Sequence, residues 1–555
     1  MKTTCASCGS SEAPASERAG PDRAGVRRVL LLIVGVWLLT RAYPLSQTVP
    51  WTAWEVWEAK KLLEYGFLER QGGIINNHYM TGRVPDPAKF NYTNHPYPML
   101  WLDTLAYALG GQWACLLLNS GIELAGCLMV LLALRLVFGP WPSLVGAMLY
   151  TLAPASVMLD VNPSTVVRGS VAWPFLVWWL GRGLEQEQRS TAVWMGVTTF
   201  VAGQINWLTY TLLAPLALVA AGLTPGLGRD ASRRPRWKLL SGLTAGWALT
   251  AAVFVAQILY YTPDLSRALD YARAQAGTEA AMSLARMELT ILLRSALSAG
   301  PALIVGAAAG LWLWWRRRDA NWLEWASAAY LVVFAATAVL LSRFFFREIS
   351  MYKYLVFPLS VLAAGAVQRI NRRNLDILLL ALSVAGLVYP LVRASIPAVS
   401  ETAKALGAQL RSLSQPEDVI ATNLQTQRPP FEAWDVGGIG CAAQIADRLL
   451  RPGVMTKSAL DGLLEDFQAS RLQVVYVWDP AKPIDEALKD FLAAQKVTTL
   501  NFDPPKEPPS LAARLRSFYW KLAGKHQVAD AAAPGTMVLR VYRFELRSGE
   551  KSSAP

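Results

Sequence analysis

Apolar residues in this chain come in long unbroken runs rather than in the alternating or one-faced patterns of soluble domains. About 20 consecutive apolar residues are needed to cross ~30 Å of hydrocarbon as a helix. Eleven runs approach that requirement: Arg27–Tyr43, Trp113–Phe138, Pro142–Leu159, Thr165–Leu180, Thr191–Ile205, Leu208–Leu223, Leu239–Tyr261, Leu289–Trp315, Trp322–Leu341, Tyr354–Val367 and Leu375–Val392. The pattern predicts a mainly α, polytopic transmembrane bundle of about eleven spans over residues 27–394. Residues 1–26 lack a hydrophobic period and are predicted to be a disordered cytosolic tail. Residues 45–112 form one long connection that carries helices at the membrane surface. After Ser395 the pattern changes. Strand-like segments at Asp418–Thr422, Leu472–Trp478 and Met537–Phe544 alternate with helical stretches near 401–413, 441–450, 457–469, 484–495 and 509–523. Residues 395–555 are therefore predicted to be a small α/β domain.

Composition agrees with the pattern. The 555 residues are 53% hydrophobic and only 17% charged, against about a quarter charged in soluble domains. The net charge of +13 is dispersed. Basic clusters lie at Arg23/Arg27/Arg28, Arg182/Arg189, Arg229 to Lys238, Arg316 to Arg318 and Arg369 to Arg373, with even numbers of runs between them. Short Lys/Arg-rich loops stay cytoplasmic, which predicts an N-terminus inside and the 395–555 domain outside. A nucleic-acid partner would need one contiguous basic face, and the dispersal excludes it. The first run follows a polar tail and has no small-residue cleavage site, so it reads as a signal anchor rather than a removed signal peptide. Five cysteines make no framework. Cys5 and Cys8 form a CxxC without the second pair or histidines that a zinc site requires.

The candidate chemistry lies beside the apolar runs. Acids next to membrane spans are costly unless they serve a site. Glu55 opens a Trp-rich helix, with Glu58 and Lys61 continuing its polar stripe at three-residue steps. Thr52 and Glu55 also have capping-box spacing, and a capping carboxylate can still meet a substrate. Asp160, in the turn Leu159-Asp160-Val161-Asn162-Pro163, falls on the same side as Glu55, although turns favour Asp for their own reasons. The cations expected outside are Arg83, Lys89, Arg267, Arg273, Arg343, Arg347 and Lys353. The run Arg343 to Tyr354, which includes Tyr352, sets three of them at one mouth. Such a cluster suits an anionic phosphate, and snorkelling to lipid headgroups is the competing use. His78 and His95 are loop histidines able to carry a proton or bind a ligand. There is no Asp-x-Asp pair in the outward loops for a metal–diphosphate site and no Gly-rich phosphate loop.

These residues resemble a known family. An acid-bearing helix after the first span (Trp54-Glu55 to Gly66), a His95-Pro96 to Trp101-Leu102 element running to Gly110-Gly111, and Met351-Tyr352-Lys353-Tyr354-Leu355-Val356-Phe357-Pro358 look like the polyprenyl-phosphate-sugar glycosyltransferases of the GT-C fold. Protein O-mannosyltransferases and lipid A aminoarabinose transferases belong to that group. The resemblance implies an extracytoplasmic, inverting sugar transfer from a polyprenyl monophosphate donor to an acceptor hydroxyl, in an integral protein of a bacterial inner membrane. It also implies catalytic roles for Glu55 as base and for Asp160. Substrate contacts are expected from Glu58, Lys89, His95, Arg267, Arg273, Arg347, Tyr352 and Lys353. The family often has Asp-Glu where Trp54-Glu55 stands, and Lys where His95 stands. No resident cofactor is implied, and dependence on a divalent metal would favour a lipid diphosphate donor instead. The rival class is a transporter or flippase, which predicts charges buried at mid-membrane and helices broken by Gly or Pro in corresponding halves. Neither is evident in the sequence.

Overall fold

The structure, a computed structural model, describes residues 23–47, 54–71, 73, 96–161, 164–186, 188–223, 235–261, 283–370, 373–394, 401–415, 418–423, 449–451, 453–468, 473–480, 483–502 and 537–544. Helices dominate its first two thirds. They are α1 (Arg23–Gln47), α2 (Trp54–Glu64), α3 (Pro98–Leu134), α4 (Pro140–Leu152), α5 (Pro154–Leu159), α6 (Thr165–Glu185), α7 (Arg189–Ile205), α8 (Leu213–Ala220), α9 (Trp237–Tyr261), α10 (Leu284–Ala299), α11 (Pro301–Arg317), α12 (Trp322–Leu340), α13 (Ser342–Arg347), α14 (Val356–Ile370), α15 (Arg373–Gly386) and α16 (Val388–Ala394). Two 3-10 turns, Trp207–Leu212 and Ile349–Leu355, precede α8 and α14.

Among the described residues, six helices are long and apolar enough to cross a membrane, or seven if α10 and α11 count as one bent span. Three of the eleven apolar runs are interrupted or extended in ways that hydropathy does not register. The run 142–159 is cut where Ala153 takes an extended ψ of 135° before Pro154, because a proline ring disfavours helical backbone in the residue before it. The run 289–315 turns by 99° at Gly300, whose φ of 82° suits only glycine and which precedes Pro301. The third begins well before Trp113, at Pro98, and is kinked at Gly110 and Gly111, the latter at φ 63°. The stretch 98–109 therefore turns away as a separate arm.

One large apolar core joins these helices, with Trp173, Tyr330, Phe345, Phe357 and Val361 fully enclosed. Glycines let α7 and α9 approach closely: a Cβ at Gly242 would lie 2.2 Å from the Ala192 carbonyl oxygen.

The C-terminal part adds α17 (Glu401–Leu413), β1 (Val419–Thr422), β2 (Leu449–Arg451), α18 (Lys457–Gln468), β3 (Val474–Trp478), α19 (Glu486–Ala493), β4 (Val497–Phe502) and β5 (Met537–Phe544). The five strands make one mixed sheet in the order β2-β1-β3-β5-β4, parallel from β2 to β3 and antiparallel across β5. The pattern anticipated β1, β3 and β5. It did not mark β2 or β4, and it extended a helix to residue 450 where β2 begins. Val419, Tyr476, Leu460, Leu488 and Tyr542 form the core of this region, and Tyr65, just past α2, packs against it.

Candidate active site

The site grows from a problem of charge. Seven ionisable groups from six elements are enclosed together: Arg41 on α1, Glu55 on α2, Asp103 and Glu123 on α3, Asp160 at the end of α5, Arg168 on α6 and Lys353 in the second 3-10 turn. All are 5% exposed or less. A buried charge is tolerable only when paired and hydrogen-bonded, and the contacts here are close to saturated at one end. Asp160 Oδ2 accepts from Arg41 Nη2 at 2.8 Å, from Arg41 Nε at 3.3 Å and from Trp37 Nε1 at 3.3 Å. Lys353 Nζ donates to Asp160 Oδ1 and to Glu123 Oε2.

A second group of contacts continues from the backbone of Asp160. Its carbonyl accepts from Asn119 Nδ2 at 2.7 Å, and Asn119 Oδ1 accepts from Arg168 Nε at 2.9 Å. Arg168 Nη1 then donates to Asp103 Oδ2 at 2.7 Å. Asn119 and Glu123 are one turn apart on α3, so a single helix face supplies both the amide link and one of the carboxylates.

Glu55 closes the arrangement. Its Oε1 accepts the Thr165 N–H at 2.7 Å, the first residue of α6. Ser164, the N-cap of that helix, makes no side-chain cap bond. The N-terminal amides of a helix lack intrahelical acceptors and attract negative charge, so Glu55 caps α6 from a different helix. The capping box expected from Thr52 involves a residue outside the described set. Arg168 stands one turn further along α6. Burial pushes the Glu55 carboxyl up to about 7, mainly by desolvation, with Asp103 also raising it. Arg168 and the Thr165 amide pull the other way. Three cations, Arg41, Arg168 and Lys353, stand among four carboxylates, Glu55, Asp103, Glu123 and Asp160, in this cluster.

The sequence-predicted residues divide into three groups. Glu55 and Asp160 are brought into one network. Glu58, Tyr352 and Lys353 are enclosed by protein contacts: Glu58 pairs with Lys61 at 3.3 Å, Tyr352 donates its hydroxyl to the Phe345 carbonyl at 2.8 Å, and Lys353 bridges two carboxylates. The stripe Glu55-Glu58-Lys61 thus turns into the protein against α3 instead of facing headgroups. Lys89, His95, Arg267 and Arg273 lie outside the described residues, as does the side chain of Arg347. Sequence reasoning missed Arg41, Asp103, Asn119, Glu123 and Arg168. It also stated that mid-run buried charges were not evident, and Glu123 and Arg168 correct that. Their signal was present, since an ionisable residue inside an apolar span marks a site by default. Among the described residues, no three His, Cys, Asp or Glu side chains converge to hold a metal ion.

Comparison with known proteins gives a fold. No family model matches the sequence, and no curated protein matches it. The chain is similar to the crystal structure of ArnT from Cupriavidus metallidurans bound to undecaprenyl phosphate. That match has a TM-score of 0.59 at 11% identity and covers 93% of this chain and 98% of that one. The apo state of the same protein matches with a TM-score of 0.53 at 12% identity, over 87% and 96% of the two chains. A tethered oligosaccharyltransferase from Archaeoglobus fulgidus matches more loosely, at 0.48 and 12% identity over 82% and 69%.

The fold is GT-C.

At such identity the likeness concerns the course of the backbone, and the chemistry has to be argued from the side chains of this chain.

Proposed function

We propose that this protein is a membrane glycosyltransferase that moves a sugar from a polyprenyl monophosphate to an acceptor hydroxyl on the extracytoplasmic face, with inversion. The observation that carries the reading is a carboxylate held near neutrality, Glu55, beside a buried cation in a GT-C fold. A general base works best when its proton affinity lies near the operating pH. Glu55 would take the acceptor proton as the sugar–phosphate bond breaks, and the departing lipid phosphate would keep the bonding electrons. The undecaprenyl phosphate bound by the ArnT structure supports a donor of that chemical class.

In this reading Asp160 acts electrostatically, holding Arg41 and Lys353 in fixed positions. Phosphate contacts fall to Arg347, Lys89, His95, Arg267 and Arg273. Glu58, Tyr352 and Lys353, each already engaged by protein groups, are assigned to the walls of the site. The C-terminal sheet is proposed to be an extracytoplasmic α/β domain beginning near residue 395, resting on the helix that carries Glu55.

A transporter is the second reading, because charges buried within the helices are what it predicts. One experiment separates the two. Full-length protein in liposomes is supplied with a panel of radiolabelled polyprenyl-phosphate sugars, with and without chelator. Transfer predicts release of lipid phosphate by the wild type and not by Glu55→Gln. Movement of intact labelled lipid across the bilayer without cleavage would end the transferase reading. Abolition by chelator would move the donor class to a lipid diphosphate.

A further inference from the structure

Arg168 is held on two sides and open on a third. Asp103 takes Nη1, and Asn119 takes Nε. Nη2 is buried without a hydrogen-bond partner among the described residues. The residue one turn earlier on the same helix, Thr165, donates its N–H to Glu55. The cation is therefore fixed in direction by Asp103 and Asn119, and it stands one turn along α6 from the amide that holds Glu55, close enough for its charge to act on that carboxylate. Asn119 extends the same hold to the Asp160 carbonyl. We infer that the Asp103–Arg168 pair is the positioning element that sets how much positive charge Glu55 feels, and hence at what pH Glu55 is free to accept a proton. The inference rests on Glu55 being the group that exchanges a proton, as proposed above.

The groups facing Glu55 can be named by element. Arg168 and the Thr165 amide come from α6, and Asp103 comes from α3. The Cys115 thiol, also on α3, lies close enough to feel both Asp103 and Glu55. Of these, Asp103 is the one whose charge can be removed while leaving Arg168 and the helix cap in place. Without it, Arg168 has one carboxylate to serve instead of two. Asp103 touches no reacting atom in this scheme, so it acts only through Arg168.

The test reads the proton directly. The protonated-carboxyl infrared band of full-length protein in lipid is followed against pH, and the part due to Glu55 is taken as wild type minus Glu55→Gln. The wild-type midpoint is expected at about 7. Asp103→Asn should lower it by one pH unit or more, a tenfold or greater weakening of proton binding. Asp103→Glu keeps the charge and should restore the midpoint. If Asn at 103 prevents folding, Asp103→Ala removes the same charge without adding an amide, and the same downward shift is expected. An unchanged midpoint in a folded, charge-removed variant, or an equal shift in Asp103→Glu, would overturn the inference. The band titrates whether or not sugar is transferred. A shifted midpoint together with full transfer by Glu55→Gln would remove the proposed base and leave the tuning intact.

Discussion

The two acids legible in the sequence sit in one buried network and live under different conditions. Asp160 receives two hydrogen bonds from Arg41, one from Trp37 and one from Lys353. Glu55 receives one backbone amide and shares a cation with another acid. Both are equally deep, so depth does not separate them; the number of donors does. A buried carboxylate with many donors is held in place and holds its neighbours in turn. One with few donors sits near the point where losing and holding a proton cost about the same. The Asp160 end is built to stay still, and the Glu55 end to exchange.

The comparison breaks most readily at the Asp160 end. Asp160→Asn leaves Lys353 and Arg41 enclosed without their shared counter-charge. Removing one partner of a buried pair costs about 3–5 kcal/mol, so this variant should lose much of its folded yield in size-exclusion chromatography and melt far below wild type. A melting curve like that of the wild type would show that Asp160 is not the anchor.

At the other end, Glu55→Gln keeps an oxygen for the Thr165 amide and so should fold. Transfer should fall by roughly 10²–10⁴-fold, the usual contribution of a positioned base. Its stability has a sign that can be worked out. The carboxyl sits at about 7 in the folded chain against an ordinary 4.5. Between those values the folded state keeps a proton that the unfolded state has lost, so wild-type stability falls as pH rises through that window. Glutamine imitates the protonated form. The variant should therefore be the more stable protein above pH 7, with the difference vanishing below 4.5. A Glu55→Gln protein less stable than wild type at pH 8 would mean that the carboxylate is needed in its charged form as a cap.

A smaller effect concerns rate against pH. If Glu55 must be ionised to act, kcat/KM should fall tenfold per pH unit below an apparent value of about 7. A limb nearer 4.5, the ordinary value, would place Glu55 in contact with more donors than the folded chain shows.

The same contrast explains what the sequence disclosed. Glu55 and Asp160 flank apolar runs, where any acid stands out. Arg41, Glu123 and Arg168 lie inside runs whose average hydropathy hides a single charge, and Asp103 lies in a connection that turned out to be helical. Asn119 and Glu123, four apart in one run, mark a common polar face that periodicity alone would have revealed. The breaks at Ala153-Pro154 and Gly300-Pro301 were written in the Gly and Pro positions. Run length, the coarser signal, passed over them. The pairing of Lys353 with Glu123 joins residues 230 positions apart, and no local pattern encodes that distance.

The least disruptive test concerns what steadies the exchanging end. Helix α2 is fastened at its start by the Glu55–Thr165 bond and beyond its end by Tyr65, which is partly buried against the core of the C-terminal sheet. Tyr65→Ala removes the second fastening and leaves Glu55, Asp103 and Arg168 themselves unaltered in sequence. A partly buried aromatic loses less than the 3–5 kcal/mol of a fully buried one, so a cost of about 1–2 kcal/mol is expected, within the ordinary range for single substitutions. Because Arg168 and Asp103 stay in place, the pH at which Glu55 titrates should not move, while kcat should drop by less than tenfold as α2 gains freedom. If instead Tyr65→Ala shifts the midpoint of the pH profile, the sheet reaches the charged network itself. The division between a still end and an exchanging end would then have to include the C-terminal region.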